Sequence, residues 1–376
     1  MSRPLRVAHL SDLHVGHVVA NLAQLRRMFL PKGGAGLLDI ATRLLASSWA
    51  DRRSLIEPLF RASHLSHGYQ TRNLVAVAQA VRSNDAAHVI LTGDLANLGA
   101  ASEWREAIAV LAAAGYEAGT LSIVPGNHDV INFRGAPLPL TDRVYPCLDR
   151  IGPHLCVLNV DTTAHLPELD WRDTLIMNSR GIVRQADIDT ADRLLSEVPP
   201  SVFKILACHH HLVDLPPDGY VDEWSDRLDK RLLGRASNAE ALLDVAQARG
   251  VGLILFGHRH RATHDQFTIR DIPAACSGSV TEVGDRGTMR FRMFEFDGPA
   301  LVGRRWVEVS PSEASPEAVA KAIEEVSALE GEPQNVASES GVGPLSERGW
   351  NRVRGRLKQV DRSVLERMAR RMGARK

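Results

Sequence analysis

Six short apolar runs punctuate the chain: LRVAHL from Leu5, AHVILT from Ala87, LSIVP from Leu121, LCVLNV from Leu155, VFKILAC from Val202 and VGLILF from Val251. Each is brief and rich in Val, Ile and Leu, the pattern of a strand buried on both faces of a parallel sheet. The segments between them switch to helical spacing. TRNLVAVAQAVRSN sets Leu74, Val77, Ala78 and Val81 on one face, and SEWREAIAVLAAAG starts at a cap candidate, Ser102, and stops at Gly115. RQADIDTADRLLSEV and SNAEALLDVAQARG behave alike. Strand alternating with helix predicts an α/β layered fold. Farther on, MRFRMFEFDG and LVGRRWVEVS alternate with period two around Asp297-Gly298, which predicts a hairpin at a sheet edge.

These elements define one unit over residues 1–310. Within it, residues 17–70 exceed an ordinary connection and read as a helical cap or lid insertion. Residues 311–344 read as an acidic helix and linker, and residues 345–376 as a basic amphipathic helical tail with Trp350, Val353, Leu357, Val360, Val364 and Met368 at spacings of three and four. The bland reading of that tail is a helix docked on the body or pairing with a second copy; contact with a membrane surface or nucleic acid is the other.

Charge and thiols narrow the classes. The 376 residues carry 45 Lys and Arg against 45 Asp and Glu, so no protein-wide field favours nucleic acid or membrane. The imbalance is local: residues 312–341 hold seven acids and one Lys, and residues 348–376 hold eleven Arg or Lys and two acids. The four cysteines (Cys147, Cys156, Cys208, Cys276) form no CxxC pair, which argues against a zinc ribbon or dithiol redox site and fits a reducing compartment. No leader pattern and no membrane-length apolar run is visible, so a soluble cytoplasmic protein is expected.

The residues just past each strand point to chemistry. SDLHVGH supplies Asp12 and His14, GDLAN supplies Asp94, and GNHD supplies Asn127, His128 and Asp129; then come HHH (His209 to His211) and GHRH with His258 and His260. Alone, each is equally a capped turn or a polar surface loop. Together they bring oxygen and imidazole donors to the carboxyl ends of five strands, the edge where open α/β sheets build sites. Imidazole with carboxylate and amide oxygen suits borderline divalent metals such as Mn, Fe, Co, Ni or Zn, and the absence of thiolates disfavours a structural zinc site.

With His209 counted, Asp12, His14, Asp94, Asn127, His209, His258 and His260 are too many for one ion. Shared through one bridging carboxylate, they serve two ions about 3.5–4 Å apart. Two divalent ions, two aspartates and a bridging hydroxide leave about +1, suited to an anionic phosphoester. His128 is placed as the acid or clamp at the leaving oxygen, with Asp129 a candidate to hold its imidazole.

In this order the motifs DLH, GD, GNHD, a downstream His and GHRH resemble the calcineurin-like metallophosphoesterases, over Asp12 to His260. The resemblance implies a four-layer αββα sandwich with a dinuclear centre of divalent or mixed-valence transition-metal ions. One ion is implied on Asp12, His14, Asp94 and His260, and the other on Asp94, Asn127, His209 and His258, with Asp94 bridging. The bacterial branch that includes class III cyclic-nucleotide phosphodiesterases is most similar, although His211-Leu212 stands where many of its members have proline after the paired histidines. The implied activity is hydrolysis of a small phosphodiester or phosphomonoester, a cyclic nucleotide leading. A nuclease, suggested by the basic tail, and a non-catalytic scaffold are the alternatives.

His17 matches no motif position, and His64, His67, His88, His154, His165 and His264 default to structural roles. Asn97 and Arg259 read as rim or supporting groups and Cys208 as core. Which histidine of the triplet is the direct ligand stays open. An extended chain puts His209 and His211 on one side and His210 on the other, whereas a sharp turn brings His210 inward.

Overall fold

The computed structural model describes residues 3–15, 71–97, 101–130, 143–163, 181–215, 235–260, 262–283 and 287–311. The insertion at 17–70, the loop after the triplet from 216 onward and everything beyond 311 lie outside the described residues, and with them His17, His64, His67, His165 and both tail segments.

Two sheets carry the described fold. The first contains β1 (Leu5–Leu10), β2 (His88–Thr92), β3 (Leu121–Val124) and the hairpin β10 (Met289–Asp297) and β11 (Ala300–Val309), in the order β11-β10-β1-β2-β3. The second contains β4 (Cys147–Ile151), β5 (Leu155–Asn159), β6 (Phe203–Ala207), β7 (Val251–Phe256), β8 (Thr268–Ile269) and β9 (Ile272–Cys276), in the order β4-β5-β6-β7-β9-β8. The six apolar runs form the parallel centres, β1 with β2 and β3 in one sheet and β5 with β6 and β7 in the other. The hairpin joins antiparallel to β1, at the sheet edge its sequence predicts.

Strand alternation sorts the side chains into three apolar layers. Ala8, Leu10, Leu91, Leu121 and Ile123 pack under α1 (Thr71–Ser83) and α2 (Ala101–Ala113), whose Leu74, Val77, Trp104 and Leu111 are fully buried. Their neighbours Val7, Ile90 and Val124 face the opposite way and meet Val157, Ile205, Leu253 and Leu255 of the second sheet. On its far side Leu158, Leu206, Ile254 and Phe256 pack under α4 (Gln185–Ser196) and α5 (Ala239–Ala248). The order helix, sheet, sheet, helix is the four-layer sandwich. Truncating a residue such as Leu91 to Ala in so dense an interior costs about 2–5 kcal/mol.

Some details differ from expectation. Helix α2 begins at Ala101, so Ser102 falls inside its first turn and is not the cap. The sequence CLDRI of β4 is only partly buried and IPAAC of β9 contains a proline, so neither shows the long apolar run that marks the other strands. Among the described residues no helix is long and apolar enough to cross a membrane.

Candidate metal centre

The loops leaving β1, β2, β3, β6 and β7 converge on one edge of the sandwich. Backbone hydrogen bonds stitch them together: Asp12 N to Gly93 O at 3.1 Å, His14 N to Asp94 O at 2.9 Å, and Gly257 N to His209 O at 3.0 Å. Five candidate residues hold left-handed backbone conformations, Asp12 (φ 54°), His14 (45°), Asp94 (53°), His258 (78°) and His260 (52°). Each such non-glycine residue costs of order 1–3 kcal/mol and persists only where the surroundings over-determine it. GHRH can lie against DLH only because its first residue lacks a side chain: a Cβ on Gly257 would sit 1.8 Å from Ser11 Oγ and 2.7 Å from Asp12 Oδ2.

The side chains gather in two adjoining clusters. Asp12, His14, Asp94 and His260 bring one donor atom each within 4.8 Å of one another. Here His14 Nε2 lies 2.8 Å from His260 Nε2, and His260 Nε2 lies 3.4 Å from Asp12 Oδ1. In the second cluster Asn127 Oδ1 lies 3.0 Å from His209 Nε2 and 2.9 Å from His258 Nδ1. Asp94 stands between them, its Oδ2 3.6 Å from His14 Nε2 and 3.4 Å from His209 Nε2. Its other oxygen accepts the His128 N–H at 2.8 Å.

Most of these side chains are buried, and their charges reflect that. Burial pushes Asp12 up to about 7, helped by the neighbouring Asp94 and opposed by His209. Burial works on Asp94 in the same sense, yet the imidazoles of His209, His128 and His14 hold it well below the ordinary carboxylate value. Burial alone would lower His209, but Asp94 outweighs it and carries it up to about 9. Burial lowers His260 to about 4 and takes His258 well below the ordinary imidazole value. Imidazole nitrogens and two carboxylates gathered at near-contact distances repel or strain one another unless a proton or a cation lies between them. The donor set, imidazole with carboxylate and amide oxygen, fits borderline divalent ions.

Each ring is oriented from behind. His209 Nδ1 donates to Thr92 O at 2.7 Å, which makes Nε2 the nitrogen that would bind a metal in place of a proton, the arrangement usual for metal-binding imidazole. Asp12 accepts the His258 N–H at 3.0 Å, and Ser279 Oγ donates to Asp12 O at 2.8 Å. Near the ligands lies a buried polar trio that the motifs do not single out: His9 Nε2 meets Thr92 Oγ1 at 2.8 Å and His9 Nδ1 meets Ser277 Oγ at 2.8 Å. A histidine at the buried end of the LRVAHL run is the signal of it in the sequence.

His128 lies beside the first cluster, its ring edge-on to His14 at 4.6 Å. Its Nδ1 donates to Asn97 O at 2.8 Å. Asp129 does not hold it, contrary to the role the sequence suggested. Both Asp129 oxygens are committed to backbone, Oδ1 to Ala96 N at 2.9 Å and Oδ2 to Gly126 N at 2.8 Å. As residue three of the short helix α3 (Asn127–Val130), Asp129 reaches back to tie the β2 and β3 loops together, and adjacent residues on a helix do not face one another.

All seven candidate ligands therefore lie in one place. Within the triplet, His209 enters between Asp94 and Asn127, while His210 turns toward Thr162 Oγ1 at 3.0 Å and His211 stacks on His258 at 5.9 Å between ring centroids. Cys208 is buried in the core beneath α4 and α5, as expected. His88 is likewise buried, paired with Ser122 Oγ at 2.9 Å.

The sequence matches the family model described as calcineurin-like phosphoesterase over residues 5–262. No curated protein matches it. Among solved structures it is similar to a dimetal phosphatase from Danio rerio, at 14% identity and TM-score 0.50, covering 83% of this chain and 100% of that one. It is also similar to phosphopantetheinyl hydrolase from Mycobacterium tuberculosis, at 14% identity and TM-score 0.37, over 74% of this chain and 91% of that one. A purple acid phosphatase from yellow lupin (Lupinus luteus) seeds aligns at 12% identity and TM-score 0.40, over 82% of this chain and 54% of that one. At these identities the first likeness bears on the fold alone, and the other two carry no weight.

Proposed function

The chain belongs to the calcineurin-like phosphoesterase family, and from that premise we propose that it hydrolyses a small phosphodiester, with a cyclic nucleotide as the leading substrate, at two metal ions held by Asp12, His14, Asp94, Asn127, His209, His258 and His260. Membership makes it a metal-dependent phosphoesterase; the substrate and the ligand roles are the proposal. The observation that carries it is the position of Asp94, with one carboxylate oxygen 3.6 Å from His14 Nε2 and 3.4 Å from His209 Nε2, between two donor clusters.

When bound, the two ions supply Lewis acidity and a water acidic enough to serve as nucleophile at neutral pH. The residues do the rest. Asp12, His14 and His260 hold the first position, and Asn127, His209 and His258 the second, with Asp94 common to both. Asn127 contributes a neutral amide where a third carboxylate would cancel the positive excess that attracts phosphate. His128 has Nδ1–H fixed on Asn97 O, which assigns to Nε2 the proton or hydrogen bond given to the leaving oxygen. Asp129 keeps the His128 loop seated against β2 through Ala96 N.

The test is direct. Full-length protein supplied with Mn²⁺ is assayed on bis-p-nitrophenyl phosphate and on cyclic AMP. Metal-dependent turnover is expected, and no turnover of either compound overturns the proposal. Asp94→Ala should lose both metal equivalents and all turnover. A nuclease is the second reading, motivated by the eleven basic residues among 348–376. Deleting that tail without change in DNA binding or cleavage removes its basis. A cytoplasmic setting remains the expectation from the cysteine pattern, checked by fractionation.

A further inference from the structure

We propose that His210 supplies a third imidazole to the second metal position, so that its ion is held by Asp94, Asn127, His209, His210 and His258. This rests on the proposed metal centre and deepens it.

His210 has the preparation of a ligand. It is fully buried, and its Nδ1 lies 3.0 Å from Thr162 Oγ1, which also accepts the His210 backbone N–H at 3.1 Å. With Nδ1–H given to that hydroxyl, Nε2 is left as the nitrogen to bind a metal, just as Thr92 O leaves His209 Nε2. His210 Nε2 is buried with no hydrogen-bond partner, and so is His258 Nε2. A buried polar nitrogen left unsatisfied is destabilising, so each calls for a partner.

One ring nitrogen each of His209, His210 and His258 lies within 4.8 Å of the others. Two nitrogens bound to one ion at about 2.1 Å are at most about 4.2 Å apart, so the set closes on an ion with a small adjustment. The ring's seat is built for it. A Cβ on Gly181 would fall 2.6 Å from His210 Cβ, so the 181–183 strip lies directly against the histidine and fixes its direction. That strip is itself anchored by Ile182 N to Thr162 O at 2.9 Å.

The consequence is asymmetry. The first position has two carboxylates and two imidazoles, whereas the second has one carboxylate, one amide and three imidazoles. A nitrogen-rich position favours Zn, Co, Ni or Fe over Mg and Mn.

Co²⁺ binding to chelator-stripped full-length protein tests this, by calorimetry and visible absorption. Wild type should take two equivalents. His210→Ala should keep the first and weaken the second more than about 100-fold, beyond the 10–100-fold typical when only a supporting partner is lost. His210→Cys should show a thiolate-to-cobalt charge-transfer band, which arises only from direct ligation. Thr162→Val keeps the imidazole but frees Nδ1, and should weaken the second equivalent to an intermediate degree; it serves if His210→Ala does not fold. An unchanged two-equivalent isotherm in His210→Ala, or a His210→Cys protein that binds two equivalents without the band, overturns the proposal. Asp94→Ala separates the two levels: if it retains both equivalents, the proposed metal centre itself fails whatever His210 does.

Discussion

Replacing Gly257 with Ala should uncouple the two halves of the site. The added methyl would meet Ser11 Oγ at 1.8 Å, Asp12 Oδ2 at 2.7 Å and Ser11 Cβ at 3.1 Å. Ordinary carbon–oxygen contact begins at about 3.3 Å, so the Ser11 hydroxyl must move about 1.5 Å and the Asp12 carboxylate about 0.6 Å. The hydroxyl can swing away, since its bond to Thr92 O is long at 3.3 Å. Asp12 cannot yield freely, because its oxygens are bound to His258 N at 3.0 and 3.2 Å. Overpacking of this kind costs about 1–3 kcal/mol of stability, and shifting a ligating group by a good fraction of an ångström costs up to roughly 10²-fold in turnover. Urea denaturation, metal analysis and kcat with Mn²⁺ on bis-p-nitrophenyl phosphate read the three effects. Adding Ser11→Gly removes the serine contacts but not the Asp12 contact, so the double variant should regain most of the stability and little of the activity. Wild-type metal content and turnover in Gly257→Ala would refute the close-approach argument. Full recovery of activity in the double variant would show that Ser11, not Asp12, was the obstacle.

His128→Asn should lower kcat about 10²–10⁴-fold while leaving both metal equivalents bound; loss of metal instead would move His128 from chemistry to structure. Acid should destabilise the metal-free protein below about pH 6.5 through its buried histidines. Burial holds His88 down to about 4 against an ordinary 6.5, so the unfolded chain binds the proton first. Its contribution is present above 6.5 and is lost as pH falls toward 4, about 2 kcal/mol of it by pH 5. His9, lowered to about 3 by burial and the nearby Arg292, acts in the same direction. Urea midpoints at pH 7 and pH 5 should therefore differ less in His88→Gln than in wild type, and equal differences would contradict the burial argument. Chelation should lower the thermal midpoint, with recovery on adding Mn²⁺ in a concentration-dependent way; a midpoint indifferent to metal counts against tight resident ions.

Much of this protein is legible in one dimension. A strand buried on both faces must be mostly apolar, so LRVAHL, VFKILAC and VGLILF announce themselves despite Arg6, His9 and Lys204, and the amphipathic period of TRNLVAVAQAVRSN marks its helix. The ordered motifs reveal the donors because polar residues just past buried strands are unusual enough to be informative as a set. Strands that bury only part of their surface, such as CLDRI, leave no such trace.

Only the tertiary structure decides the rest, because periodicity says which residues share a face but not which face meets which. The split of Val7 from Ala8, one facing the second sheet and the other the helices, depends on two sheets stacking. The partner of His128 is a carbonyl, Asn97 O, that has no sequence signature, so neighbouring Asp129 attracted the role that backbone geometry assigns elsewhere. For the triplet, the alternation of an extended chain places His210 away from His209. The chain leaves β6 at Ala207 and bends, the backbone of Thr162 and Gly181 closes behind it, and His210 comes to lie with its ring centroid 4.5 Å from that of His258. The sequence by itself determined that donors gather at the strand ends. Their orientation, and with it the division of labour among three adjacent histidines, came from contacts with residues 29 to 117 positions away, Gly181, Thr162 and Thr92, which no local pattern can encode.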